Sequence, residues 1–240
     1  MKKRLTEETI LFLSVVKWIA LATVIGCFAG FTTAMFVKGL EWSQSVGTAY
    51  PLYYLALPVS MALTAWLGYL CLQSADAHST NKIIEVIHVS GEISFASLFK
   101  GFFLPILTIA SGGSAGKEAP CADVGAGVGF WLGSLLRLDA EDRRKLMICG
   151  VSAGFASVFG VPIAGALFGV EVLFVGSILY VVLLPSLVAG ITACQISSWL
   201  GIKYFYTPLT AITHFSEAFF VKVVFAVYFS ASVRPCSLRV

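Results

Sequence analysis

The sequence predicts an all-α, polytopic membrane protein whose helices are broken and partly re-entrant. Hydrophobic residues make up 58% of the 240 residues and charged residues only 12%, about half the charged share of a soluble domain. Apolar runs recur at lengths close to the roughly 20 residues that cross a bilayer. Between two of these runs lies a glycine-rich stretch, Ser111-Gly112-Gly113-Ser114-Ala115-Gly116-Lys117-Glu118-Ala119-Pro120. Irregular backbone is tolerated at membrane depth only where protein covers it or where it lines a water-filled cavity.

The chain carries sixteen bases and thirteen acids, a net charge of +3, and the bases are concentrated. Lys2, Lys3 and Arg4 open the chain, and Arg137, Arg143, Arg144 and Lys145 fill one short connection. Such loop charge flanks membrane spans and places both segments on the cytoplasmic side. A nucleic-acid partner would instead need bases spread along a binding face. The six Cys show no paired C-x-x-C spacing, so they read as small buried hydrophobes. Three His argue against a clustered metal site, and no cofactor is implied. Glu7 and Glu8 precede an apolar run too long for a signal-peptide core, which makes it a first membrane helix that stays.

Taken in order, residues 11–36 form the first span, with Lys17 near its start, where a long side chain can snorkel to the interface. Residues 52–73 form the second, between Pro51 and a polar run that begins at Ser74. Residues 83–88 make a short amphipathic turn, and residues 95–110 a short apolar run that contains Pro105. After the glycine-rich break a helix resumes over residues 122–138. Residues 146–174 form a long run interrupted at Gly160-Val161-Pro162, and residues 178–200 another that contains Pro185. Glycines recur at four-residue spacing, as Gly125, Gly129 and Gly133, as Gly150 and Gly154, and as Gly165 and Gly169. Small residues at that interval let helix backbones approach closely. A last apolar piece begins near Glu217 and ends at residue 229. Residues 230–240 are polar and irregular, as expected of a truncated or frame-shifted tail.

Glu118 is the first acid of interest, since an intramembrane carboxylate is expensive unless it is used. Pro120 suits the first turn of a helix, where a missing donor costs nothing. Residues 116–119 therefore sit at a helix N-terminus, with free amides and the positive end of the dipole available to an anion. A carboxylate tethered there can occupy the site itself. Once protonated or swung away it leaves the site to a diffusing ion, which makes Glu118 a candidate gate that proton concentration can bias. A plain helix-dipole acid is the alternative for Glu118. A nucleotide-binding loop is disfavoured, because Lys117 is followed by Glu118 and not by Ser or Thr. Glu171, at the far end of the helix after Pro162, is a second intramembrane acid with either a structural or a transport role. Asp123 reads as a packing or helix-start acid.

The stretch from Ser111 to Pro120 resembles the G-[KR]-E-x-P signature of the CLC chloride channels and chloride/proton exchangers. The stretch Ser152-Ala-Gly-Phe-Ala-Ser-Val-Phe159-Gly-Val-Pro162-Ile-Ala-Gly165-Ala-Leu-Phe-Gly-Val-Glu171 resembles that family's following A-G-x-x-x-x-F-x-x-P-x-x-G-x-x-F-x-x-E motif. The resemblance covers about residues 11–229 and implies the first of two inverted repeats of a CLC-type fold, in keeping with discontinuous helices around a central site. It implies a homodimer, multi-pass in the plasma membrane, with a voltage-gated anion pathway in each subunit. Glu118 then falls on the gating glutamate, and Gly116, Lys117 and Ala119 on the anion cradle.

Three departures bear on function. The family's G-S-G-x-P motif supplies a Ser hydroxyl to the ion. The matching stretch here is Ala77-His78-Ser79-Thr80-Asn81, so His78, or Ser79 after a register shift, takes that place. The inner glutamate of the exchangers falls on Val172, which favours passive conduction over coupled exchange. The second repeat's own ion-binding motifs are not found after Glu217, so another polypeptide would have to complete the pathway. The sequence thus points to transport of chloride or a similar small anion, more as a channel than as a proton-coupled antiporter. The alternatives are a non-conducting regulatory subunit or fragment. An enzyme ranks last, for want of a nucleophile, a His partner or a metal constellation.

Overall fold

In the computed structural model, residues 2–49, 53–71, 95–113, 116–173, 180–204, 221–222 and 224–225 are described. The chain divides into two compact units, Met1–Tyr204 and Phe205–Val240. Of the second unit, Val221, Lys222, Val224 and Phe225 are described, and they are helical and exposed. Among the described residues the first unit contains only helices. They are α1 (Lys2–Thr48), a 3₁₀ turn (Tyr53–Ala56), α2 (Leu57–Cys71), α3 (Phe95–Ala110), α4 (Glu118–Leu135), α5 (Ala140–Phe159), α6 (Pro162–Leu173) and α7 (Tyr180–Trp199).

At 47 residues, α1 is about 70 Å long, more than twice the hydrocarbon thickness of about 30 Å. The sequence places its span at residues 11–36. The helix continues to Thr48 because no proline interrupts it before Pro51, and Lys38 and Glu41 sit on its exposed side. Inside the apolar stretch Thr23 and Thr32 donate to the carbonyls of Ile19 and Phe28, each at 2.9 Å, which satisfies these two hydroxyls within the helix, whereas the buried Thr33 hydroxyl has no partner. Among the described residues two helical stretches have the length and apolarity to cross a membrane. These are Phe12–Ser45, with mean hydropathy 2.0, and Val181–Trp199, with mean hydropathy 1.7. The apolar parts of α2, α3 and α6 are shorter, as broken, partly inserted helices require.

The centre of the unit is α5, which packs against α1, α4, α6 and α7. Its residues 146–154 are all buried, and a helix that is buried all round belongs in a core. The spaced glycines bring its neighbours close. Gly125 of α4 faces Gly150 of α5, where a Cβ on either would run into the other's carbonyl oxygen. Gly129 lies against Leu146 and Met147, Gly154 against the carbonyl of Cys121, and Gly165 of α6 against Ser152 and Ala156. Gly30 of α1 lies in the same way on Ala193 of α7. Around these contacts Ile25, Ala126, Ile148, Ala153, Val170 and Val182 form one apolar core.

Several polar side chains inside this core find partners there, although the buried Ser152 hydroxyl has none. Ser157 donates to the Ser197 hydroxyl at 3.0 Å, the Cys194 thiol meets the carbonyl of Ala156 at 3.0 Å, and Ser186 meets Cys149 Sγ at 3.7 Å. Cys27, Cys121, Cys149 and Cys194 are free thiols; Cys121 and Cys149 are buried and the other two partly so.

Both ends of α4 and the start of α5, at Ala140 and not at residue 146, depart from the expected boundaries. The helix after the glycine-rich break starts at Glu118, not at residue 122, and stops at Leu135. Beyond it, Leu138 N–H donates to the carbonyl of Gly133 at 3.0 Å and Arg137 N–H to that of Ser134 at 3.1 Å. This is a Schellman cap, and it places Arg137 in the left-handed position, φ 51°, that glycine normally fills. At the same end of the unit Lys17 pairs with Asp142 at 3.2 Å, and Lys145 pairs with Glu141 at 2.7 Å and Asp142 at 3.4 Å. Lys17 of α1 and the first turns of α5, which carry Arg143, Arg144 and Lys145 in the helix and not in the expected connection, therefore share one face. Trp18 lies between them, with the Lys17 and Lys145 ammoniums 5.7 Å and 5.4 Å from its ring.

Replacing Gly150 with Val should separate α4 from α5 and destabilise the unit by about 1–3 kcal/mol or more, read as a lower thermal midpoint of the purified chain in detergent. Arg137→Gly should act in the opposite direction. Removing a left-handed non-glycine residue should add about 1 kcal/mol of stability and raise the same midpoint.

Candidate anion site at the start of α4

The glycine-rich break is anchored before it reaches α4. Ser111, in the turn after α3, donates to the carbonyl of Thr108 at 2.9 Å, and its hydroxyl lies 2.5 Å from that of Ser60 on α2. Both serines are buried, with 6% and 7% of their surface exposed, so each hydroxyl needs the other or a carbonyl. Gly112 follows in the left-handed region, φ 87°, and a Cβ there would stand 2.8 Å from the Tyr53 ring. Gly113 N–H then closes onto the carbonyl of Thr108 at 2.9 Å. Only glycine meets both the dihedral and the contact at position 112.

Lys117 is the N-cap of α4, in right-handed helical conformation, and its side chain makes no capping hydrogen bond. Glu118 and Ala119 occupy the first two helical positions and Pro120 the third, which has no donor to satisfy. Cys121 N–H, bonded to the carbonyl of Lys117 at 3.3 Å, is the first amide to find an acceptor inside the helix. The amides ahead of it are the orphan donors of a helix start, with the positive end of the dipole behind them.

The Glu118 carboxylate turns back over this end. A Cβ at Gly116 would stand 2.5 Å from Glu118 Oε2, so the missing side chain at 116 makes room for the acid. Glu118, Gly116 and Ala119 are exposed in this unit; the burial that would make the acid costly is not supplied by the described helices. Lys117 is half-buried, with its ammonium 6.0 Å from the centre of the Phe159 ring, at the end of α5.

Gly116, Lys117, Glu118 and Ala119 are consecutive and stand together at the start of α4. His78 and Ser79 lie outside the described residues. Glu171 is exposed on α6 and stays apart from this cluster. It stands about 14 Å along the helix axis from Pro162, which begins α6 at the corner beside Phe159. Asp123 lies in the second turn of α4 with Oδ1 buried and without a hydrogen-bond partner, so it does not cap the helix start. Among the described residues no group of three or more His, Cys, Asp or Glu could hold a metal. Tyr53 and Ser60 were not singled out from sequence. A serine inside an apolar span, as Ser60 is, was the available signal.

Residues 60–233 match the family described as "Voltage gated chloride channel". The chain is 34% identical over 204 residues to the "Chloride/fluoride channel protein" of Pseudomonas syringae pv. tomato, a match covering 85% of this chain and 45% of that protein. It is 32% identical over 193 residues to the "Putative chloride channel protein ClcB-like" of Ralstonia nicotianae, covering 73% of this chain and 45% of that one. The structure is similar to a crystal structure of a CLC-type fluoride/proton antiporter, with TM-score 0.77 and 30% identity over 88% of this chain and 53% of the other. A slow cyanobacterial Cl⁻/H⁺ antiporter, at TM-score 0.65 and 24% identity over 84% of this chain and 51% of the other, shares the fold. The chain spans about half the length of the curated relatives it matches.

Ser60→Ala should cost about 1 kcal/mol of stability, because it leaves the Ser111 hydroxyl short of a partner. The Ser60→Ala, Ser111→Ala double substitution should cost less than the sum of the two single changes, measured by thermal unfolding.

Proposed function

The chain belongs to the voltage-gated chloride channel family, and on that premise we propose that it carries an anion site gated by Glu118, in a CLC-type pathway for chloride or fluoride. One observation carries this reading. A helix start whose N-cap side chain makes no capping bond holds an acid whose carboxylate folds back over Gly116. A carboxylate in that place competes with a small anion for the same donors, and its release or protonation frees them. Gly116, Lys117 and Ala119 form the described part of the cradle. His78 or Ser79 adds a side chain to it.

The protein works as a multi-pass component of the plasma membrane, with another set of helices completing the pathway and a second copy forming a dimer. The exposed state of Glu118 in this unit is consistent with a site that is closed only when further helices cover it. Val172 at the position of the inner glutamate favours passive conduction. A proton-coupled antiporter is the second reading, favoured by the two structurally similar antiporters. Glu171 is then the remaining acid on the inner side. A regulatory subunit without conduction is the third.

Efflux of fluoride and chloride from liposomes holding the chain, co-reconstituted with a polypeptide that supplies the completing helices, tests this reading. The wild type should release anion in a pH-dependent manner, and Glu118→Gln should release it faster and with the pH dependence lost. Proton movement stoichiometric with the anion would favour the antiporter, and no efflux from either protein would favour the regulatory or fragment reading.

A further inference from the structure

Lys117 and Glu118 are chain neighbours of opposite charge, yet they do not pair. The carboxylate turns back over Gly116, and among the described residues no ion pair involves Lys117. Its ammonium lies instead against Phe159, 6.0 Å from the ring centre. That ring is itself held in place. Phe155 lies 4.5 Å from it and stacks at 4.2 Å on Phe168 of α6, which ties the end of α5 to the next helix. Phe159 is followed by Gly160, in the left-handed region at φ 71°, where the Tyr204 ring fills the place a Cβ would take. Tyr204 OH in turn donates to the carbonyl of Cys194 on α7 at 3.4 Å. The ring that receives Lys117 is thus exposed on one side and rests on Phe155, while the turn that carries it is packed by Phe168 of α6 and Tyr204.

We propose that Phe159 is a positioning residue for the anion site. Its ring keeps the Lys117 ammonium away from Glu118, so that the positive charge at the start of α4 serves the bound halide and is not neutralised by the gate. This inference rests on the reading of the α4 start as an anion site. An ammonium over an aromatic face is attracted by the ring's negative quadrupole, and a leucine of similar bulk offers none. Without that hold the flexible four-carbon stem of Lys117 is free to swing to the neighbouring carboxylate.

The test is halide-dependent thermal stabilisation of the purified chain in detergent, with sodium fluoride or sodium chloride exchanged against sodium gluconate at constant ionic strength. A ligand that binds only the folded state raises the midpoint with its concentration, which gives an apparent affinity. Phe159→Leu should weaken that affinity about threefold to tenfold, and Phe159→Tyr, which keeps the aromatic face, should restore it. In a Lys117→Met background Phe159→Leu should have no further effect, since the coupling then has no cation to act on. Equal weakening with and without Lys117 would reduce Phe159 to a packing residue and overturn the proposal, as would unchanged affinity in Phe159→Leu. If Phe159→Leu does not fold, Phe159→Met serves the same comparison. No halide stabilisation of the wild type would instead overturn the anion-site reading itself, and this proposal with it.

Discussion

The close approach of α4 to α5, glycine against glycine, is the contact on which the rest of the unit depends. Gly125 and Gly150 meet backbone to backbone, with Gly129 and Gly154 extending the seam. In a membrane there is little hydrophobic gain from bringing two helices together, so contact must come from dispersion between close surfaces. Glycine provides the shortest separation that packing permits. Once α5 is buried against α4, the starting point of α4 is set in space, and with it the place where its first amides emerge.

The break before α4 follows from the same economy of side chains. A chain that leaves α3 must turn without bare donors, and it does so through Ser111 on Ser60, Gly112 under Tyr53 and Gly113 folded onto Thr108. The corner between α5 and α6 repeats the device, with Gly160 left-handed beneath the Tyr204 ring and Pro162 starting the next helix. In both places an aromatic ring occupies the space a side chain would have taken. Each turn is thereby packed by a residue distant in sequence, which ties the irregular backbone to neighbouring helices.

Large apolar side chains remain exposed on several helices, among them Trp42, Val59, Trp66, Ile163 and Val181. On α6, Ile163, Leu167 and Glu171 lie at four-residue intervals, and all three are exposed, so one face of that helix combines an apolar stripe with an acid. The chain spans about half the length of the curated relatives it matches.

Composition and spacing determined much by themselves. The apolar runs announced the helices, and the limits of α3 agree with the expected residues 95–110. The interruption at Gly160-Val161-Pro162 separates α5 from α6, and the glycines at four-residue intervals lie on helix contacts. Gly116 to Ala119 at a helix start was legible too, because glycine, acid and proline each have a local backbone reason to stand there. Tertiary structure alone decided what those residues meet. The left-handed Arg137, the serine pair between α2 and the end of α3, the turn of Glu118 over Gly116 and the seat of Lys117 on Phe159 all join residues through space. Local propensity specifies where a helix begins; which distant ring or hydroxyl lies beside that beginning depends on how the helices pack, and no single stretch of sequence encodes it.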